Sequence, residues 1–532
     1  MTAAPQTRPL LAARGDHAAL RAGFGWALPA RLNMARQVCF DWLDQPQRVA
    51  IIDLSGEGRR DIGYGALAGM AGGLAAHLTA AGVARGDRVG VLRSQDPWCA
   101  AGHIALWSLG AVSVPLFKPF GPDALATRLS DAGAQHVITD TEGAERLATL
   151  PVTPHIPEDL MLDPAAAPDV ADTGPDDPAV LIYTSGTTGA PKGALHGHRI
   201  LTGHLPGVEI SHDRLGQPGD VLWTPADWAW IGGLFDVLMP GLAIGVPVVA
   251  ARLPKFTPEG AREVIRTGTV RNVFFPPTAL KALKADGMAL PGLRSVASGG
   301  EPLGAEMLDW GRRAFGLQIN EFYGQTECNM VASSAASLFP PRPGCIGRAV
   351  PGFDLAVLGP DGAPLGAGEE GDIAARRGAA SMFLGYWNRP EATAEKFRGD
   401  WMLTGDRGTW EGDYLRFVGR EDDVITSAGY RIGPAEIEDC LLQHADVALA
   451  AVIGVPDPDR TERIRACIVP RPGTSPDAQA LQDHVRRRLS AHLVPREVVF
   501  MDTLPMTVTG KIIRKELKAQ AINEPAAKEP GT

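Results

Sequence analysis

The run Tyr183-Thr184-Ser185-Gly186-Thr187-Thr188-Gly189-Ala190-Pro191-Lys192-Gly193 gathers small hydroxyl residues, glycines and one lysine after the apolar stretch Ala179-Val180-Leu181-Ile182. Glycine lets backbone N–H groups turn toward anionic oxygens, hydroxyls add donors and lysine adds a mobile positive charge, so the loop is suited to phosphate. A Walker loop would end in Gly-Lys-Ser/Thr, with the hydroxyl holding magnesium, whereas Lys192 lies between Pro191 and Gly193. Further on, Asn320-Glu321-Phe322-Tyr323-Gly324-Gln325-Thr326-Glu327 sets an aromatic for stacking, a hydroxyl for phosphate and a carboxylate for magnesium within a few residues. Ser298-Gly299-Gly300-Glu301-Pro302 is a backbone-exposing turn against which a flat base could lie, and Asp406, after Leu403-Thr404-Gly405, reads as a carboxylate on a tight turn able to accept ribose hydroxyls.

Two other stretches bear on substrate and catalysis. Trp223-Thr224-Pro225-Ala226-Asp227-Trp228-Ala229-Trp230-Ile231-Gly232-Gly233-Leu234 is dense in indole and then in glycine, which fits either core or the wall of a substrate pocket. Leu504-Pro505-Met506-Thr507-Val508-Thr509-Gly510-Lys511 places a lysine after a Thr-Gly turn; on residue type alone, that lysine is solvated surface. His196 and His198 flank Gly197, with no further ligand cluster nearby to make a metal site.

These residues need elements to hold them. Val49–Ile52 and Arg88–Leu92 read as strands, Tyr64–Ala81 as an amphipathic helix ended by Gly82, and Trp98–Leu109 as a helix ended by Gly110. This alternation predicts α/β layers. The segment 154–178, rich in Pro, Asp and Ala, reads as an exposed connector. After the charged crossing Gly419-Arg420-Glu421-Asp422-Asp423, the pattern predicts a separate α+β unit: a helix over 434–443, strands near 447–453 and 464–470, a helix near 477–490 and a strand near 497–501. The expected division is an N-terminal domain over 1–421, a C-terminal domain over 422–522 and a disordered tail over 523–532.

A chain of 532 residues exceeds one hydrophobic core, and its 45% hydrophobic content can bury a large one. A net charge of -10 disfavours nucleic acid as a partner, so anionic ligands must be met by local positive sites. Six scattered cysteines without a C-x-x-C pair indicate neither zinc nor a disulfide framework and fit a reduced, cytoplasmic setting. The most apolar stretch, 234–250, is too short and too interrupted to span a membrane.

Taken in order, the motifs resemble those of the adenylate-forming enzymes, which include acyl-CoA synthetases, the adenylation domains of peptide synthetases and luciferase. The likeness runs from about residue 35 to 520 and is nearest to short- and medium-chain acyl-CoA synthetases. It implies a large N-terminal domain of layered sheets and helices with a small mobile α+β C-terminal domain, and ATP, magnesium, coenzyme A and a small carboxylic acid as ligands. By that resemblance, the ATP/AMP site comprises Thr184, Ser185, Gly186, Thr187, Thr188, Gly189, Lys192, Gly300, Glu301, Pro302, Glu321, Phe322, Tyr323, Gln325, Thr326, Asp406 and Arg420. Glu327 is implied at the metal, and Trp230, Ile231, Gly232, Gly299 and Gly324 at the acyl pocket. Lys511, with Thr326 and Glu327, is implied in catalysis of acyl-adenylate formation. Asp422 matches the hinge about which the small domain swings, after which Gly429, Tyr430 and Arg431 would face coenzyme A.

Where acetate-specific relatives carry a tryptophan, this chain has Gly324, and Gly232 and Gly299 replace larger pocket residues; the expectation is a pocket for a longer or aromatic acid. The context Pro505-x4-Gly510-Lys511 is similar to that in which acyl-CoA synthetases are switched off by lysine acylation, which implies Lys511 as a modification site. A homo-oligomer is left open. The competing readings are a ligase that loads a carrier-protein pantetheine, disfavoured by the lack of a carrier domain in the sequence, and a non-catalytic nucleotide-binding protein.

Overall fold

The computed structural model describes every residue except 1–6, 13, 166–168, 185–190, 421–422, 428–429, 458–460, 490–492, 508–510 and 524–532. Among the described residues, the strands form three sheets of fourteen, seven and five. Helices α1 (Tyr64–Ala80) and α2 (Pro97–Ser108) lie against the seven-stranded sheet, whose strands 88–92, 112–115, 136–139 and 153–155 run parallel. α1 is not amphipathic as its pattern suggested. It is buried on most sides, and the reason is its glycines: a Cβ on Gly69 would lie 2.6 Å from the Pro164 carbonyl oxygen, and one on Gly73 3.0 Å from that of Asp163. The segment read as an exposed connector is thus laid partly along a helix, and its Thr173 is buried.

Parallel strand 112–115 leads to β1 (Pro178–Thr184), which turns back antiparallel into β2 (Lys192–Gly197) with Thr184 opposite Lys192. Helix α3 (Arg199–Ser211) follows, buried over nearly its whole length. In the larger sheet, β3 (Ser295–Gly299) crosses over through α4 (Ala305–Phe315) to the parallel strand β4 (Ile319–Gln325), which returns as β5 (Cys328–Ser333). The carboxyl ends of β1, β3 and β4 carry the motifs singled out above, as ligands in α/β sheets are bound beyond the carboxyl ends of parallel strands. An antiparallel extension holds β6 (Trp401–Glu411) against β7 (Tyr414–Arg420). Asp406 therefore lies within a strand, opposite Arg420, rather than on a tight turn; the strand is irregular on either side of it, with Gly405 at φ +78 and a register shift between Arg407 and Gly408.

Beyond residue 422, β8 (Ile425–Ser427) and β9 (Tyr430–Ile432) form a hairpin. Helix α5 (Pro434–Leu442), strands β10 (Val447–Asp457) and β11 (Thr461–Pro470), helix α6 (Ala478–Arg488), strand β12 (Glu497–Phe500) and helix α7 (Arg514–Asn523) complete the unit. It has its own core, including Ile437, Leu441, Val452, Ile468 and Leu481. On α7, Arg514 donates through Nη2 to both carboxylate oxygens of Glu438 at 2.7 Å, tying the last helix to α5. Asn523, expected in the tail, closes α7, and the rest of that tail lies outside the described residues.

Candidate active site

A cavity of about 2170 Å³ lies where the C-terminal unit meets the larger body. From the β1–β2 hairpin it receives Thr184 and Lys192, whose Nζ stands 5.3 Å over the Tyr386 ring. Ser185, Gly186, Thr187, Thr188 and Gly189 lie outside the described residues. Gly300, Glu301 and Pro302 line the cavity just past β3, with Gly300 in the left-handed region at φ +103. Glu321 accepts the Leu303 N–H at 3.1 Å and so fastens this turn to β4; burial pushes its carboxyl up to about 8.

Successive residues at the end of β4 do different work. Tyr323 donates its hydroxyl to Asp406 Oδ2, leaving the other carboxylate oxygen 4.0 Å from Arg420 Nε. Gln325 Nε2 donates to the Thr404 carbonyl at 2.9 Å, and its oxygen accepts from Lys396 Nζ at 2.8 Å. Thr326 and Glu327 line the cavity, and the Tyr386 hydroxyl donates to Glu327 Oε1. Tyr386 and Lys396 were not singled out in the sequence: each is one residue in a stretch without a spacing signal, and only folding sets them beside the β4 motif. Burial lowers the Lys396 pKa, while Glu327 and Asp406 act to raise it.

Lys511 completes the cavity from the small unit. A Cβ built on Gly300 would lie 3.8 Å from Lys511 Cε and 3.6 Å from Trp230 Cη2, so the lysine stem, the glycine turn and the indole meet at one place. The lysine remains open to water inside the cavity, but protein surrounds it. The resulting loss of hydration lowers its pKa, with Glu301 and Asp406 opposing and Arg420 reinforcing the shift. In a chain of net charge -10, the cavity collects Lys192, Lys396, Arg420 and Lys511. It is therefore equipped to hold polyanions.

The acyl-pocket glycines have a different role from the one expected. At Gly232 the space of a side chain is filled by the Trp230 ring, 2.5 Å from a built Cβ, and at Gly299 by the Phe322 ring at 2.4 Å. Neither glycine lines the cavity; Trp230, Ile231 and Phe322 do. At Gly324, which does line it, a Cβ would lie 2.3 Å from Asn329 Oδ1. These glycines seat neighbouring groups instead of clearing room for substrate.

The expected hinge Asp422 and Gly429 lie outside the described residues, and Tyr430 and Arg431 are described only as backbone of β9. His198 accepts the Met34 N–H through Nδ1 at 3.1 Å, a structural role. No helix among the described residues is long and apolar enough to cross a membrane.

Residues 41–387 match the family model of the AMP-binding enzymes, and 436–511 match that of the AMP-binding enzyme C-terminal domain. The chain belongs to the AMP-binding enzyme family. It is 33% identical to the acetyl-coenzyme A synthetase of Bacillus subtilis over 84% of this chain and 82% of that one. With a feruloyl-CoA synthase from Amycolatopsis it shares 35% identity over 86% and 93% of the two chains. Among solved structures, ATP-bound MatB from Rhodopseudomonas palustris superposes with a TM-score of 0.81 at 28% identity, covering 92% of this chain and 98% of that one; apo MatB gives 0.71. Within the AMP-binding family, this chain stands with the acyl-CoA synthetases.

Proposed function

We propose that this AMP-binding enzyme is an acid–thiol ligase that converts a carboxylic acid larger than acetate to its acyl-adenylate with ATP, and then to the coenzyme A thioester. The observation that carries this reading is the meeting of Lys511, the Gly300 turn and Trp230 in one cavity with Lys192, Glu327 and Asp406. In the first step, a carboxylate oxygen attacks the α-phosphorus and the bond to pyrophosphate breaks. Two anions must approach, so the catalyst's task is positioning and charge neutralisation. Lys511 lies beside the indole that walls the acyl pocket, which suits its ammonium to hold the acid's carboxylate against the α-phosphate. Lys192 on the β1–β2 hairpin is suited to the outer phosphates, Thr326 to the α-phosphate, and Asp406, with one oxygen fixed by Tyr323, to the ribose.

The carboxylate of Glu327, with one oxygen fixed by Tyr386, fits a magnesium ion, which needs one or two protein carboxylates when phosphates and water fill the other positions. When bound, the ion would neutralise phosphate charge. In the second step, a thiol sulfur attacks the acyl carbonyl and AMP leaves. That requires Lys511 to withdraw, and we place the swing at the 421/422 boundary, with Gly429, Tyr430 and Arg431 then turned toward coenzyme A. Support comes from the greater likeness to ATP-bound than to apo MatB, consistent with an arrangement suited to the first step. Acylation of Lys511 would remove the ammonium and stop that step.

Trp230, Ile231 and Phe322 line an apolar part of the cavity, so acids longer than acetate gain burial of about 0.8 kcal/mol for each methylene they place against these walls. The test is acid-dependent pyrophosphate release over acids of graded length and aromatic acids. The expected result is acetate at least about tenfold below the best acid in kcat/KM, within the range one or two methylenes supply. A preference for acetate would overturn the size assignment, and release with no acid at all would overturn the ligase.

A further inference from the structure

Behind Trp230 the chain enters a π-helical stretch, Leu234–Leu238, a geometry that often marks functional sites. Its central residue, Asp236, lines the cavity although the side chain is only 3% exposed. Asn329 Nδ2 donates to both of its oxygens, at 2.8 and 3.0 Å. The adjoining His204 is fully buried. Its Nδ1–H donates to the Ile200 carbonyl at 2.8 Å, which leaves Nε2 as an acceptor, 3.9 Å from Asp236 Oδ1 and without a hydrogen-bond partner. Burial holds that imidazole neutral, at about 4, and among the described residues no cation faces Asp236.

A buried carboxyl with one amide partner is costly, and such a group calls for a reason. Asp236 is not needed for phosphate or ribose, and Asn329, which holds it, occupies the space that a side chain at 324 would have filled. The acyl end of the cavity therefore passes from the apolar walls of Trp230, Ile231 and Phe322 to the carboxyl of Asp236, behind which His204 is buried. Burial raises the Asp236 pKa, and whether protonated or not the carboxyl keeps acceptor capacity beyond its one amide partner.

Resting on the ligase reading above, we propose that Asp236 recognises a hydrogen-bond donor, a hydroxyl or an amino group, at the end of the substrate acid remote from its carboxylate. The apolar walls take the body of the acid, and the remote O–H or N–H donates to the carboxyl of Asp236. A hydrocarbon acid of the same shape leaves that carboxyl without the donor. An exchange of this kind in a buried site is worth a factor of about 10 to 150 in binding.

The test compares kcat/KM for pyrophosphate release with phenylpropanoates carrying a para hydroxyl, amino or methyl group, and with straight-chain acids ending in CH2OH or CH3. The full-length enzyme is expected to favour at least one donor-bearing member over its methyl counterpart by about tenfold or more. Asp236→Leu should bring that ratio to one or below, with Asp236→Asn intermediate; a ratio is read because general damage to the enzyme cancels in it. Equal or greater use of methyl acids by the wild type, or a wild-type ratio retained in both variants, would overturn the proposal while leaving the ligase intact. Should the leucine variant not fold, the wild-type ratio and the isosteric asparagine variant decide. Failure with every acid would overturn the ligase reading, and this one with it.

Discussion

Lys511 is fixed to Thr507 by its own backbone. Thr507 N–H donates to the Lys511 carbonyl at 2.8 Å, and Lys511 N–H donates to Thr507 Oγ1 at 3.1 Å, so the backbone that carries the ammonium is pinned to Thr507 just before α7. Replacing Lys511 by alanine removes a charge aimed at the developing anion, and loss of one such donor costs about 10² to 10³ in rate. We expect ATP–pyrophosphate exchange to fall by at least that much, while thioester formation from supplied acyl-adenylate and coenzyme A survives. Full exchange activity in the variant would remove Lys511 from catalysis. The lysine was legible only through family likeness, because nothing in its residue type separates it from surface lysines. Asp236 could not be found that way. It stands alone in an apolar run, and its meaning comes from Asn329 and His204, which lie far away in sequence.

At the scale of elements, close approach of backbones decides how α3 supports the site. A Cβ on Gly203 would lie 2.0 Å from the Ser381 backbone nitrogen and 2.5 Å from the Ala380 carbonyl carbon. Ser381 in turn donates to the Asn329 carbonyl at 3.0 Å, so this contact backs β5 where it leaves the cavity. Gly203→Ala must push backbone against backbone, and we expect a loss of about 2 kcal/mol, the middle of the range for overpacked interiors, measured as a lowered urea midpoint. An unchanged midpoint would show that the helix can slide without cost. Such contacts explain which element expectations failed. The strands 88–92 and 178–184 were readable from continuous apolar runs, as buried parallel strands are. By contrast, α1 has the composition of an amphipathic helix, and only its glycine contacts with 162–164 show that it is covered. The seat of Asp406 was misjudged for a related reason: Thr-Gly-Asp is turn chemistry locally, yet the pairing of β6 with β7 keeps it extended.

For the molecule as a whole, the question is what holds the C-terminal unit where Lys511 meets the Gly300 turn. Asp439 on α5 is packed against Gly304 at the start of α4, where a built Cβ would lie 2.9 Å from Asp439 Cγ. Burial and the neighbouring Glu438 push that carboxyl from 3.8 up to about 7, against the pull of Lys281. In this arrangement the group prefers its proton; with the unit swung out into water it reverts toward an ordinary carboxyl. Its effect thus favours the observed arrangement fully below about pH 4, and that advantage is lost as pH rises through about 7. We expect the population of this arrangement, followed by energy transfer between dyes on the two units, to fall between pH 5 and 8 by at most roughly tenfold per unit. Asp439→Asn should flatten the dependence, and an identical profile in that variant would show that other groups set it. The α/β body and a smaller C-terminal unit were foreseeable from pattern alone. Their mutual seating was not, since it joins residues more than a hundred positions apart.

The bare Cα of Gly304 leaves the room that the Asp439 carboxyl of α5 takes. Any bulk at that position would act as a doorstop, shortening the time the lysine spends at its post and lengthening the time the thiol has access. Tempo, as distinct from bond-making, would thereby be open to tuning at a residue that carries no functional group.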